Sequence, residues 1–204
     1  MPPLRLTAEH KRLLASVSAQ PRTALDYYML LPQSYFRNLP DSRERRVTYI
    51  TTKTLTNDFL DAFRGFDCSD YGFHVTLKLY HTASRTFIVI DSYNEEVIFA
   101  HKKPHGGEPS ISIVRPSLWL YADGVWIRQP DESLPKIPPR RVLAKYHHDW
   151  DADQRETEEE KVIWLDYEMS PTTDDIVLVG GENFQTAVYE YARLKWRDGR
   201  FSFK

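Results

Sequence analysis

The chain has 204 residues, a formal net charge of −2 and an aromatic content of 13%. That length suffices for a sizeable core, and the near-neutral charge removes any electrostatic reason to expect nucleic acid or an anionic membrane as partner. Cys68 is the single cysteine, so no internal disulfide can form and a reducing compartment fits.

The start, Met1 to Thr7, holds no apolar stretch of signal-peptide length before the charged His10-Lys11-Arg12. No run approaches the roughly 18 apolar residues of a membrane span, so a cytoplasmic location without membrane contact is expected. Thr7 caps a predicted first helix with Leu13, Leu14 and Val17 on one stripe, ending before Pro21. Thr23 caps a second over Ala24 to Leu31, closed by Pro32. Asp41 with Glu44 three residues later has the form of a capping box, and Arg43-Glu44-Arg45-Arg46 reads as a solvated first turn. Thr56 is then the expected cap of a helix from Asn57 to Phe63, with Phe59, Leu60 and Phe63 inward and Gly65 at C′.

After Gly72 the period changes from helix to strand. Phe73, Val75, Leu77 and Leu79 alternate with His74, Thr76, Lys78 and Tyr80, the cleanest two-residue alternation in the chain. Phe87-Ile88-Val89-Ile90 is an unbroken apolar run suited to a strand covered on both faces. Val97-Ile98-Phe99, Ile111 to Val114, Val162 to Leu165, Ile176 to Val179 and Val188 to Trp196 are further predicted strands, with Gly180-Gly181 as a turn. Pro130 to Pro139 opens a crossover loop that extends to about residue 160. Two Asp-Gly pairs, Asp123-Gly124 and Asp198-Gly199, sit between apolar runs, the strongest short-range hairpin signal. Counting outward pairs Tyr121 with Trp126 and Trp196 with Phe201, at the close, non-hydrogen-bonded position of each hairpin. The sum is one α+β domain over residues 1–204. A helical segment of about 7–65 packs on a predominantly antiparallel β-rich part of about 72–204.

Motifs that carry chemistry are few. There is no Gly-x-Ser-x-Gly elbow, no phosphate-cradling Gly-x-x-x-x-Gly-Lys and no His-Glu-x-x-His. Cys68 beside Phe66 reads as a small buried hydrophobe rather than a nucleophile. His101 and His105 are four apart, but Pro104 denies them a shared helical face; they are candidate ligand contacts in a loop. Asp149, Asp151, Asp153 and Glu160 occupy positions 1, 3, 5 and 12 of a stretch that resembles the EF-hand calcium loop. It departs from that loop at the sixth position, where Gln154 stands for the glycine. A solvated acidic loop is the competing reading, and no cofactor is implied. Tyr121 and Trp126 would form a stacking platform if their face is open, and part of the core if a helix or second sheet covers it.

Leu30-Leu31-Pro32-x-x-Tyr35-Phe36 near the start and Trp196-x-x-Gly199-Arg200-Phe201 near the end, with the aromatic Asp-Gly hairpin between them, resemble a group of small uncharacterised bacterial β-rich proteins. The resemblance implies a bacterial source and a β-rich fold, and carries no activity. The leading functional expectation is a noncatalytic binding or protein-interaction module that uses a sheet face or the loops around 101–110 and 130–160. A hydrolase-like enzyme whose acid and base residues converge only in the fold is one alternative. A structural subunit whose strand edges pair in a homodimer is another. The turn assignment is directly testable: Gly124→Val or Gly199→Val is expected to lower the melting temperature, because a type I′ turn needs positive φ there. An unchanged melting temperature in both variants would overturn it.

Overall fold

In a computed structural model the described residues are 4–33, 39–64, 73–92, 112–113, 116–135, 164–181 and 189–203. Helix α1 spans Ala8–Ser16 behind the cap Thr7, and α2 spans Ala24–Leu30 behind Thr23. Both caps are reciprocal: His10 and Asp26, each at the third helical position, return a hydrogen bond to the cap backbone. Asp26 does more than cap. Its buried carboxylate accepts from the Ser18, Arg22 and Thr23 amides at 2.7, 3.0 and 2.9 Å and from the Thr23 hydroxyl at 2.9 Å. Burial alone would raise its pKa; these donors outweigh that and hold it below the ordinary value.

Helix α3, Arg43–Val47, is capped by Ser42 rather than Asp41, and its arginines are not all solvated. Arg46 is 6% exposed. Its guanidinium donates to the carbonyls of Pro40, Tyr28, Met29 and Leu31 at 2.8, 3.2, 3.2 and 2.9 Å. Tyr28, Met29 and Leu31 lie at the C-terminal end of α2, so Arg46 serves as the C-terminal cap of a helix distant in sequence and ties Pro40 to it. A charge run read along the chain shows only the local turn, and this partner set is tertiary.

The predicted helix over Asn57 to Phe63 is instead strand β1, Phe59–Arg64. Seven residues are too few for periodicity to separate the two forms, and pairing with β2 decides. Leu60 and Ala62 turn into the core, while Phe63, expected inside, is 50% exposed. The helical segment therefore ends at α3 among the described residues, and the role proposed for Gly65 lies outside them.

β2 (Phe73–His81), β3 (Thr86–Ser92), β5 (Ser117–Ala122) and β6 (Val125–Arg128) follow, and the first sheet has the order β1-β2-β3-β5-β6, antiparallel throughout. The short β4 (Ser112–Ile113), β7 (Trp164–Met169), β8 (Asp175–Gly181), β9 (Tyr189–Arg197) and β10 (Arg200–Phe203) form the second, in the order β10-β9-β8-β7-β4. Only the β4–β7 pairing is parallel among the described strands. The Gly180-Gly181 pair continues β8 and is not a turn, because β7 pairs it at Leu165 and Trp164. Both Asp-Gly turns have positive φ at the Asp and at the Gly, and Tyr121 faces Trp126 as Trp196 faces Phe201. At Gly199 an added Cβ would meet only ordinary contacts to Thr82 and Phe87, so the obstacle to a side chain is φ rather than space.

The first sheet is covered on both sides. Leu60, Ala62, Val75, Leu77, Leu79, Ile88, Ile90 and Trp119 pack under α2 and α3. Tyr80, Val89 and Leu118, on the other side, pack with Tyr167, Ile176, Leu178, Leu194 and Phe201 of the second sheet. Lys78 points the same way as Tyr80. Its buried ammonium donates to the carbonyls of Ser170 and Thr173 and pairs with Asp174 at 3.6 Å, tying the β7–β8 turn onto the first sheet. Burial lowers its pKa, and Asp174 opposes that shift. Among the described residues no helix is long and apolar enough to cross a membrane.

Replacing Arg46 strands the α2 carbonyls in an apolar setting. Arg46→Met is expected to destabilise by about 2–4 kcal/mol in urea unfolding. Arg46→Lys should recover less than half of that, because an ammonium cannot match the planar fork.

A candidate polar and aromatic strip across the first sheet

Register places the site. β2 pairs His81 with Thr86 of β3, and β5 pairs Tyr121 with Trp126 of β6. Between them β3 and β5 pair Phe87 with Leu120, and continuing that register by one step sets Thr86 beside Tyr121. Residues directly opposite in antiparallel strands share a face. His81, Thr86, Tyr121 and Trp126 therefore form one row across four strands, on the side that α2 covers. The row is polar at its β2 end and aromatic at its β6 end.

At the aromatic end, Tyr27 of α2 meets Tyr121 edge-on at 5.8 Å and Trp126 at 6.2 Å between ring centroids, and Tyr121 meets Trp126 at 5.3 Å. The Trp126 indole donates to the carbonyl of Leu30 at 3.1 Å. Tyr121 and Trp126, read from sequence as platform or core according to what covers them, are thus half-buried and packed against the core under α2.

At the polar end, Asp58 precedes β1, where its carbonyl accepts from Leu79 at 2.8 Å and its amide reaches the Thr56 hydroxyl at 3.3 Å. Its carboxylate lies 3.0 Å from His81 Nε2, and His81 Nδ1 lies 3.1 Å from Thr86 Oγ1. A carboxylate can only accept, so in the neutral imidazole Nε2 carries the proton and Nδ1 is left to accept from the Thr86 hydroxyl. His81 and Asp58 side chains are 49% and 52% exposed. The Tyr27 hydroxyl interacts with the same threonine, and burial raises the pKa of that phenol. The β2–β3 turn is fixed by Thr82, whose amide donates to the Arg85 carbonyl at 2.9 Å and whose hydroxyl accepts from the Arg85 amide at 3.1 Å.

A second imidazole–carboxylate pair occupies the opposite face. Asp61 Oδ1 is 2.7 Å from His74 Nε2 and 3.2 Å from the Thr76 hydroxyl, and Oδ2 accepts from the Thr51 hydroxyl at 3.1 Å. Burial would raise the pKa of Asp61, and His74 with the two threonines more than offsets this, so the net shift is downward. With these oxygens engaged, Asp61 braces residue 51, β1 and β2 together. Asp91 stands opposite Thr76 on β3 and so shares this face.

Of the residues singled out from sequence, Tyr121 and Trp126 are brought together. His101, His105, Asp149, Asp151, Asp153, Glu160 and Cys68 lie outside the described residues. Among the described residues no group of three or more His, Cys, Asp or Glu side chains could hold a metal ion. Asp58, His81 and Thr86 were not foreseen. The signal available was the alternation through Tyr80 read one residue further, with the Thr82–Arg85 loop turning the chain so that His81 meets Thr86. Compared with protein families, curated proteins and solved structures, the chain has no match.

The lowered pKa of Asp61 has a sign. A carboxyl that titrates lower when folded adds stability above its ordinary pKa and loses it as pH falls through the folded value. Asp61→Asn is expected to cost about 1–2 kcal/mol at pH 7. Its deficit relative to the native chain should shrink below about pH 4. A deficit that stays constant from pH 7 to pH 2.5 would refute the ionised brace.

Proposed function

We propose that the chain is a binding module whose ligand lies along the His81–Thr86–Tyr121–Trp126 strip. The observation that supports this reading is the register, which puts accessible imidazole and hydroxyl groups in line with half-buried aromatic rings. Such a strip suits a small neutral ligand with an apolar body and one hydrogen-bonding end. The rings supply apolar contact at low entropic cost, since Tyr27 and Leu30 already restrain them. The polar end supplies direction.

The hydrolase alternative gains one observation as well, the linear order of carboxylate, imidazole and hydroxyl at Asp58, His81 and Thr86. It requires the same strip to hold the substrate.

Two-dimensional NMR of the labelled chain tests the binding reading with three probes: N-acetyl-tyrosine amide, methyl β-glucoside and acetanilide. At least one should shift the Trp126 indole N–H and the His81 ring together. Tyr121→Ala should weaken that probe about ten-fold, equivalent to about 1.4 kcal/mol. Shifts confined to residues away from the strip, or an affinity indifferent to Tyr121, would reject it.

A further inference from the structure

We propose that Asp58, His81 and Thr86 form an acyl-transfer relay acting on small carboxylic esters, with the Thr86 hydroxyl as acyl acceptor. The inference rests on the strip as the place where the apolar part of the ester lies.

Three features of the geometry carry it. First, both ring nitrogens of His81 are engaged in an order with chemical direction: Nε2–H toward Asp58, and the Nδ1 lone pair toward Thr86. A hydroxyl becomes a competent nucleophile when an adjacent base accepts its proton and a third group holds that base. Second, the parts come from three segments that backbone pairing holds together. Asp58 is held by its backbone bonds to Leu79 and Thr56, His81 by the end of β2, and Thr86 by the start of β3. The indole of Trp196 donates to the His81 carbonyl at 3.3 Å, so the second sheet also supports the base. Third, the relay is accessible, and the aromatic strip starts directly beside Thr86.

The second pair supplies the contrast. His74 Nε2 approaches both Asp61 and the Thr76 hydroxyl, so there one nitrogen faces carboxylate and hydroxyl together. His81 presents the two groups on opposite nitrogens.

The step balances without a redox partner. Thr86 Oγ1 adds to the ester carbonyl carbon while its proton passes to His81 Nδ1, and Asp58 stabilises the imidazolium. The carbon–alkoxide bond breaks, and the departing alkoxide takes that proton to leave as alcohol. Water then adds to the threonyl ester, giving its proton to Nδ1. The carboxylic acid departs and Thr86 recovers its proton from the imidazolium.

The test uses p-nitrophenyl acetate with the full chain. A burst of nitrophenolate stoichiometric with protein is expected, and peptide mass mapping after acid quench should place the acetyl group on Thr86. His81→Gln should slow the burst about 10²-fold, and Asp58→Asn should slow it less. Thr86→Ser should retain the burst, and Thr86→Val should abolish it at an unchanged melting temperature. His74→Gln, on the opposite face, should match the native chain. A burst that survives in Thr86→Val, or acetylation confined to lysines, would overturn the proposal. Titration with p-nitroacetanilide, read at the Trp126 indole N–H, separates the two ideas. Shifts at the strip without acylation of Thr86 would remove the relay and leave the binding site. Acylation of Thr86 without shifts there would remove the strip as the seat of the ligand.

Discussion

Strand β3 is buried from both sides, and most of the architecture follows from that. Ile88 and Ile90 feed the core under the helices, while Val89 feeds the core between the sheets. With Ile88, Val89 and Ile90 buried on alternate faces, β3 resists a slip by one residue, since side chains of different shape would exchange cores. With β3 fixed, β2 and β5 are fixed on either side of it, and so is the row that crosses them. The strip is thus a by-product of register: His81, Thr86, Tyr121 and Trp126 align because the apolar residues beside them must.

The irregular segments are held by a different device. Where the backbone leaves helix or sheet, its polar groups still need partners, and here buried charged side chains supply them. Arg46 collects the carbonyls at the end of α2 and at Pro40. Asp26 collects the amides of the α1–α2 connection. Lys78 collects the carbonyls of the β7–β8 turn. Each is an ionic group facing several dipoles, an arrangement that offsets desolvation with multiple charge-assisted bonds.

What could be read from the sequence divides along the same line. Alternation in 73–80 and the apolar run 87–90 revealed the central strands, and even the two-sided burial of β3, because these signals are local and repeat every two residues. The Asp-Gly pairs revealed hairpin register for the same reason. Asn57 to Phe63 reads as a helix because seven residues fit either period and only pairing with β2 decides. Arg46 was misread because its partners lie at positions 28 to 31 and at 40, and a charge run carries no mark of what will fold over it. The polar end of the strip is hidden in the sequence because Asp58 falls in the stretch that reads as a helix. Tyr121 and Trp126 were singled out correctly as a pair, yet their neighbour Tyr27 arrives from α2 and could not be seen in the hairpin itself.

The Trp196 indole, reaching across to the His81 carbonyl, gives the second sheet a stake in the first. The β9–β10 hairpin holds in place a backbone whose side chain lies on the helix-covered face of the first sheet. Damage to that hairpin would then register on the helix-covered face of the first sheet as well as in the hairpin itself. In a collection of random variants, the two regions would fail together and look like one site.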